Sequence, residues 1–104
     1  MEYEVRLSAQ AKRDLFEAAS YIARDSPDAA RAWIRQVESK IRSLSTFPHR
    51  FALIPESEIG WESLRQCVHQ SHRIIYRIDE DPSIVTIVRI YHTANRKLSG
   101  SKEE

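Results

Sequence analysis

Of the 104 residues, one is cysteine, two are glycine and four are proline. The lone Cys67 cannot close an internal disulfide, so a disulfide-stapled secreted fold is excluded. Gly60 and Gly100 stand alone, which excludes a glycine-rich phosphate loop and makes a small nucleotide-dependent metabolic enzyme the weakest of the function classes. There is no run of about 18 apolar residues and no charged-then-apolar leader, so neither a membrane span nor secretion is expected, and the cytoplasm is the expected location. A dominant charge is also missing. Lys+Arg total 16 against 15 Asp+Glu, a net charge of +1, which gives no long-range attraction to nucleic acid although local patches can still form. His49, His69, His72 and His92 have no tight ligand spacing and no cysteine pair beside them, so no metal and no other cofactor is expected.

What remains is a chain of one-domain length, able to bury about two thirds of its unfolded surface around a single core. Tyr3 to Leu7 alternates apolar and charged residues and reads as a first strand. Ser8 fits a helix N-cap, and from Ala9 to about Arg24 the set Ala11, Leu15, Ala18, Ala19, Ile22 recurs at steps of three and four. Lys12, Arg13, Asp14, Glu17 and Arg24 lie mostly off that stripe. Ser26-Pro27-Asp28 restarts a helix: Ser as cap, Pro where its missing N–H is harmless, Asp toward the positive end of the dipole. The second stripe, Ala30, Trp33, Ile34, Val37, Ile41, Leu44, predicts a helix to about Phe47-Pro48 that forms a hairpin with the first.

From His49 to about Glu62 the pattern is irregular and reads as a loop long enough to be functional. Strands are predicted near Leu64 to His69, Arg73 to Ile78 and Ile84 to His92, with Asp79 to Ser83 as the clear hairpin turn. In the middle strand Ile74, Tyr76 and Ile78 share one face, and Arg73, Ile75 and Arg77 the other. The last strand is apolar on both faces, which predicts a central position in the sheet. The fold class is therefore α+β: an N-terminal strand, a two-helix hairpin and a three-stranded antiparallel sheet, in one domain over residues 1–98 with a disordered tail at 99–104.

The order of these elements, with the segments SAQAKRDLFEAASYIA, SPDAARAW, FPHRF, PE at 55–56, Leu64-Arg65, HRIIYRI and VTIVRIYHTANR, resembles the RelE/ParE superfamily of type II toxins, the plasmid stabilization type. The resemblance covers nearly the whole chain. It implies a growth-inhibiting toxin neutralised by a cognate antitoxin protein whose C-terminal segment wraps the active surface. It also implies one of two targets: RelE-like members cleave mRNA in the ribosomal A site, whereas ParE-like members poison DNA gyrase. On the nuclease side, Arg73 matches the phosphate-contacting arginine, His92 the histidine of some nuclease members, and Glu56 or Glu58 the loop carboxylate, with Arg89 as a further cation. Thr93 stands where those nucleases have a tyrosine, and no lysine cluster lies between Phe47 and Tyr91. The ending from His92 to Arg96 is more similar to the ParE side. Binding of target or antitoxin is then expected through Arg65, Arg73, Tyr76, Arg77, Arg89, Tyr91, Arg96 and Trp61.

Each of these residues also has an ordinary structural role open to it. Arg73 and Arg77, two apart on one strand, can pair with acids on a neighbouring strand. Arg89 sits inside an apolar strand, where a cation is costly unless paired. His92, with an ordinary pKa near 6.5, suits acid–base work or a structural hydrogen bond. Tyr76 and Tyr91 can pack with the hydroxyl at a rim. Trp61 can anchor a partner or cover the core edge, and Cys67 lacks an activating base. An inactive toxin-like module that only binds a peptide by adding a strand to the sheet is the other class left open.

Overall fold

A computed structural model describes residues 2–54 and 63–92. Strand β1 (Glu4–Leu7) leads into helix α1 (Ala9–Ala23), helix α2 (Pro27–Ser43) and a short 3-10 turn at Pro48–Arg50. Strands β2 (Arg65–His69), β3 (His72–Asp79) and β4 (Ile84–His92) follow. The last three are antiparallel, as expected, and β1 joins them parallel to β4, so the sheet has four strands in the order β1-β4-β3-β2. The doubly apolar β4 is indeed central, with β1 on one side and β3 on the other.

Local chemistry accounts for the helix ends. The Ser8 hydroxyl accepts from the Ala11 N–H, and the Ser26 hydroxyl accepts from the Ala29 N–H, each satisfying one of the donors a helix start leaves orphaned. Helix α2 ends at Ser43, earlier than the periodicity predicts. Leu44, Ser45 and Thr46 donate to the carbonyls of Ile41, Arg42 and Ser43, so the last turn tightens to three-residue steps. Phe47 then takes a left-handed conformation (φ 54°, ψ 55°), which ends the helical path just before Pro48. Arg50 closes this end by donating to the carbonyls of Thr46 and Phe47.

The inward faces of the helices and of the sheet share one core, including Trp33, Val37, Ile41, Leu44, Ile74, Tyr76, Val85, Ile87 and Ile90. A β-bulge keeps this possible. Ile75 pairs with Arg89 and Tyr76 with Ile87, leaving Val88 unmatched. Without that extra residue the strict period of two would put Ile87 and Ile90 on opposite faces; with it both are buried. The stretch read as a loop after α2 is partly ordered by the sheet: Leu53 bridges Arg65, and Ile54, almost fully buried, donates its N–H to Leu64. A second hairpin, closed by Gln70 and Ser71 between β2 and β3, carries no glycine or asparagine signal, and Gln70 adopts φ 54°. A non-glycine residue there costs about 1–2 kcal/mol, which is why the sequence alone does not announce it. The predicted tail at 99–104 lies outside the described residues.

Candidate functional site

Strand β1 stops at Leu7, so from Val88 onward β4 has an unpaired edge that the start of α1 must cover. Ser8 begins this: its N–H donates to Ile87 O, and its hydroxyl donates to Val88 O at 2.9 Å. Asp14 finishes it. Its Oδ2 accepts from the Ile90 N–H at 2.9 Å and from Arg89 Nε at 2.8 Å, and its Oδ1 accepts from Gln10 Nε2. Burial works against this charge, yet the hydrogen bonds from Arg89, the Ile90 N–H and Gln10 outweigh it and hold the Asp14 carboxyl below the usual carboxylate range. The Arg89 guanidinium, raised in turn by its bond to Asp14, stacks over the Tyr91 ring at 4.5 Å. The cation inside the apolar strand is therefore paired, with an acid whose side chain is 6% exposed.

Beside this pair, the register aligns His69, His72 and His92 in one row across β2, β3 and β4. His72 meets Trp33 and His92 edge to face, each with ring centroids 5.0 Å apart. Burial, and then the neighbouring His92 and His69, push the His72 pKa down, so the ring is held neutral. Its Nδ1 is buried with no hydrogen-bond partner among the described residues. Trp33, His72 and His92 line a cleft of about 610 Å³ with Tyr21, Arg89 and Tyr91. Among the described residues no three His, Cys, Asp or Glu side chains are placed to hold a metal ion.

A family model described as the ParE toxin of the type II toxin–antitoxin system parDE matches residues 5–96. The chain belongs to the ParE toxin family. Solved structures agree on the fold. The chromosomal ParDE TA system from P. aeruginosa superposes with a TM-score of 0.70 at 16% identity, covering 88% of this chain and 96% of that one. The toxin–antitoxin complex RelBE from Mycobacterium tuberculosis gives 0.62 at 27% identity, covering 91% and 95%. A metal-bound toxin from Helicobacter pylori gives 0.56 at 13%, covering 93% and 100%. No curated protein matches the chain. It is a RelE/ParE superfamily toxin with that superfamily's α+β fold.

In this ParE-family toxin the predicted site residues do not all meet. Register places His92 beside His72 on the helix-covered face, and Arg73 beside Tyr91 on the other. Arg73 is largely buried, with Nε donating to Gln66 Oε1 at 2.6 Å. Arg77 approaches Asp79 at 3.5 Å. Arg65 donates to the Phe51 and His49 carbonyls and so clamps the chain after α2. Tyr76 is a correction to the binding set: it is fully buried, its hydroxyl donates to Pro48 O at 2.6 Å, and burial pushes its pKa up to about 12. A side chain with no exposed surface cannot touch a target. Cys67 is likewise buried, and burial pushes its thiol up, away from thiolate. Glu56, Glu58, Trp61 and Arg96 lie outside the described residues. Asp14 is the residue that sequence reasoning missed. Spacings of three from Ala11 and four to Ala18 place it on the buried stripe, and the unaccounted Arg89 was the signal that an acid had to be there.

Proposed function

We propose that this toxin arrests growth by poisoning DNA gyrase and that a cognate antitoxin neutralises it. Membership of the ParE family supports the reading, and one observation carries it against cleavage: the side chains a nuclease would need are divided. Transfer of a phosphoryl group from a 2′-OH requires a base, an acid and cations around a single phosphate. Arg73 and His92 occupy opposite faces of the sheet, and Arg89 is committed to Asp14. The antitoxin partner is supported by the neighbouring ParDE and RelBE structures, which are toxin–antitoxin systems. Action in the cytoplasm is part of the proposal; no described helix is long and apolar enough to cross a membrane.

The test is a supercoiling assay with purified gyrase and purified toxin. Inhibition with accumulation of cleaved DNA, relieved by the antitoxin, is the expected result; full supercoiling at a large excess of toxin contradicts it. One observation favours a second reading, a RelE-like ribosome-dependent endoribonuclease: the RelBE complex is the more similar of these structures in sequence, at 27% identity. In that case Arg73→Ala and His92→Ala abolish mRNA cleavage, whereas under the gyrase reading they matter less than changes after Thr93.

A further inference from the structure

The outward face of α2 bears a second cleft, of about 520 Å³, lined by Arg35, Gln36, Ser39, Lys40, Ser43 and His69. Its lining holds two full cations, a histidine, two hydroxyls and an amide, and no carboxylate. Arg50 adds a third cation at one end, donating to the Ser43 hydroxyl at 2.9 Å. Arg6, Arg31, Arg77 and Arg89 all contact acids (Glu4, Asp28, Asp79 and Asp14), whereas Arg35 and Lys40 make no ion pair among the described residues. The local potential is positive enough that Lys40, after burial, lowers the His69 pKa, and Lys40 and Arg50 oppose the upward push of burial on Cys67. Lys40 and Arg42, in the last turn, complement the negative end of the helix dipole. Arg35 lies two turns earlier, where the dipole gives no reason for a cation.

We propose that this cleft docks the phosphodiester backbone of a nucleic acid. Arg35 and Lys40 neutralise phosphates, and the Ser39 hydroxyl and the Gln36 amide N–H donate to the phosphate oxygens, while the Ser43 hydroxyl is spent on Lys40 O. From Arg35 to Ser43 the helix rises roughly 12 Å, enough to follow more than one phosphate. Contacts of this kind fix position without reading sequence. A net charge of +1 is compatible with it, because the positive charge is gathered on one helix face and balanced elsewhere. The inference does not depend on gyrase, since duplex DNA and ribosome-bound RNA present the same backbone.

The test is fluorescence anisotropy of the full chain with a 20-base-pair DNA duplex and with a 20-nucleotide single-stranded RNA, across 50 to 200 mM salt. Arg35→Gln with Lys40→Gln is expected to weaken binding at least tenfold and to reduce the log–log salt slope by about 1.4 to 1.8, two contacts' worth. Lys12→Gln with Arg13→Gln removes the same charge from α1, where both side chains are exposed, and is expected to change affinity less than twofold. Thermal unfolding of both double variants confirms that each is folded. Preference for the duplex assigns the backbone to DNA, and preference for the single strand assigns it to RNA. No binding by the wild type at 50 mM salt, equal loss in both double variants, or tighter binding of a polyglutamate peptide than of either nucleic acid overturns the proposal. Gyrase inhibition that survives Arg35→Gln with Lys40→Gln rejects the cleft's role there and leaves the gyrase reading intact.

Discussion

The two ends of β4 are each tied down by a carboxylate, and the two ties differ in kind. At the Val88–Ile90 end, Asp14 is nearly buried and accepts from a guanidinium, a backbone N–H and an amide. At the hairpin end, Glu80 is exposed and accepts from the Tyr3 hydroxyl at 2.8 Å and contacts His49 Nε2 at 2.7 Å. Hydrogen bonds from Tyr3 and then His49 hold Glu80 below the usual carboxylate range, as those from Arg89 and its neighbours do for Asp14. The direction of the pKa change is the same at both ends, but the consequences of cutting them are not. Water can replace every partner of Glu80, and salt screens it. Water cannot reach the Ile90 N–H without opening α1 from the sheet. Burial, rather than charge, decides which tie holds the fold.

The largest break in that comparison is Asp14→Ala, which strands a half-buried guanidinium and an edge N–H and is expected to cost about 3 kcal/mol in urea unfolding. The pH dependence separates it further. Because the folded-state pKa of Asp14 is depressed, its contribution is complete above the unfolded carboxylate pKa near 4. That contribution is lost as pH falls through the lower folded value, so wild type and Asp14→Asn should converge in strong acid. A smaller loss, about 1 kcal/mol, is expected for Tyr76→Phe, which leaves the buried Pro48 carbonyl without its donor. Ser8→Ala removes both the α1 cap and the bond to Val88 O, at about 1 kcal/mol. Glu80→Gln is the smallest change, with an unfolding midpoint indistinguishable from wild type at 0.5 M salt. Lowered by burial, His72 acts in a different window: its neutral ring stabilises above about pH 6.5. Stability should then decline as pH drops from there toward the folded His72 value, and His72→Gln should flatten that decline.

The same contrast explains what the sequence made legible. The helices, the central place of β4 and the Asp79–Ser83 hairpin announce themselves through period, caps and turn residues, which are local. The Gln70-Ser71 turn and the parallel pairing of β1 do not, because each is set by partners distant in the chain, Gln36 and β4, while the early end of α2 at Ser43 is local but carries no periodic signal, since Leu44 continues the apolar stripe into the tightened turn. At the site, the row of arginines and histidines on β3 and β4 was visible, but its division between two faces required the register and the Val88 bulge. Arg89 was recognisable as a cation in need of a partner, and its partner sits 75 residues earlier. The acid was read as solvent-facing because the stripe was counted from apolar residues alone.

The most direct measurement is to induce the chain alone in growing bacteria and follow mRNA integrity and gyrase supercoiling in the same culture. Blocked supercoiling, filamentation and DNA damage with intact mRNA is the expected result. Cleavage of translated mRNA at codon positions with supercoiling unchanged would contradict the account and return Arg73, Arg89 and His92 to a catalytic role.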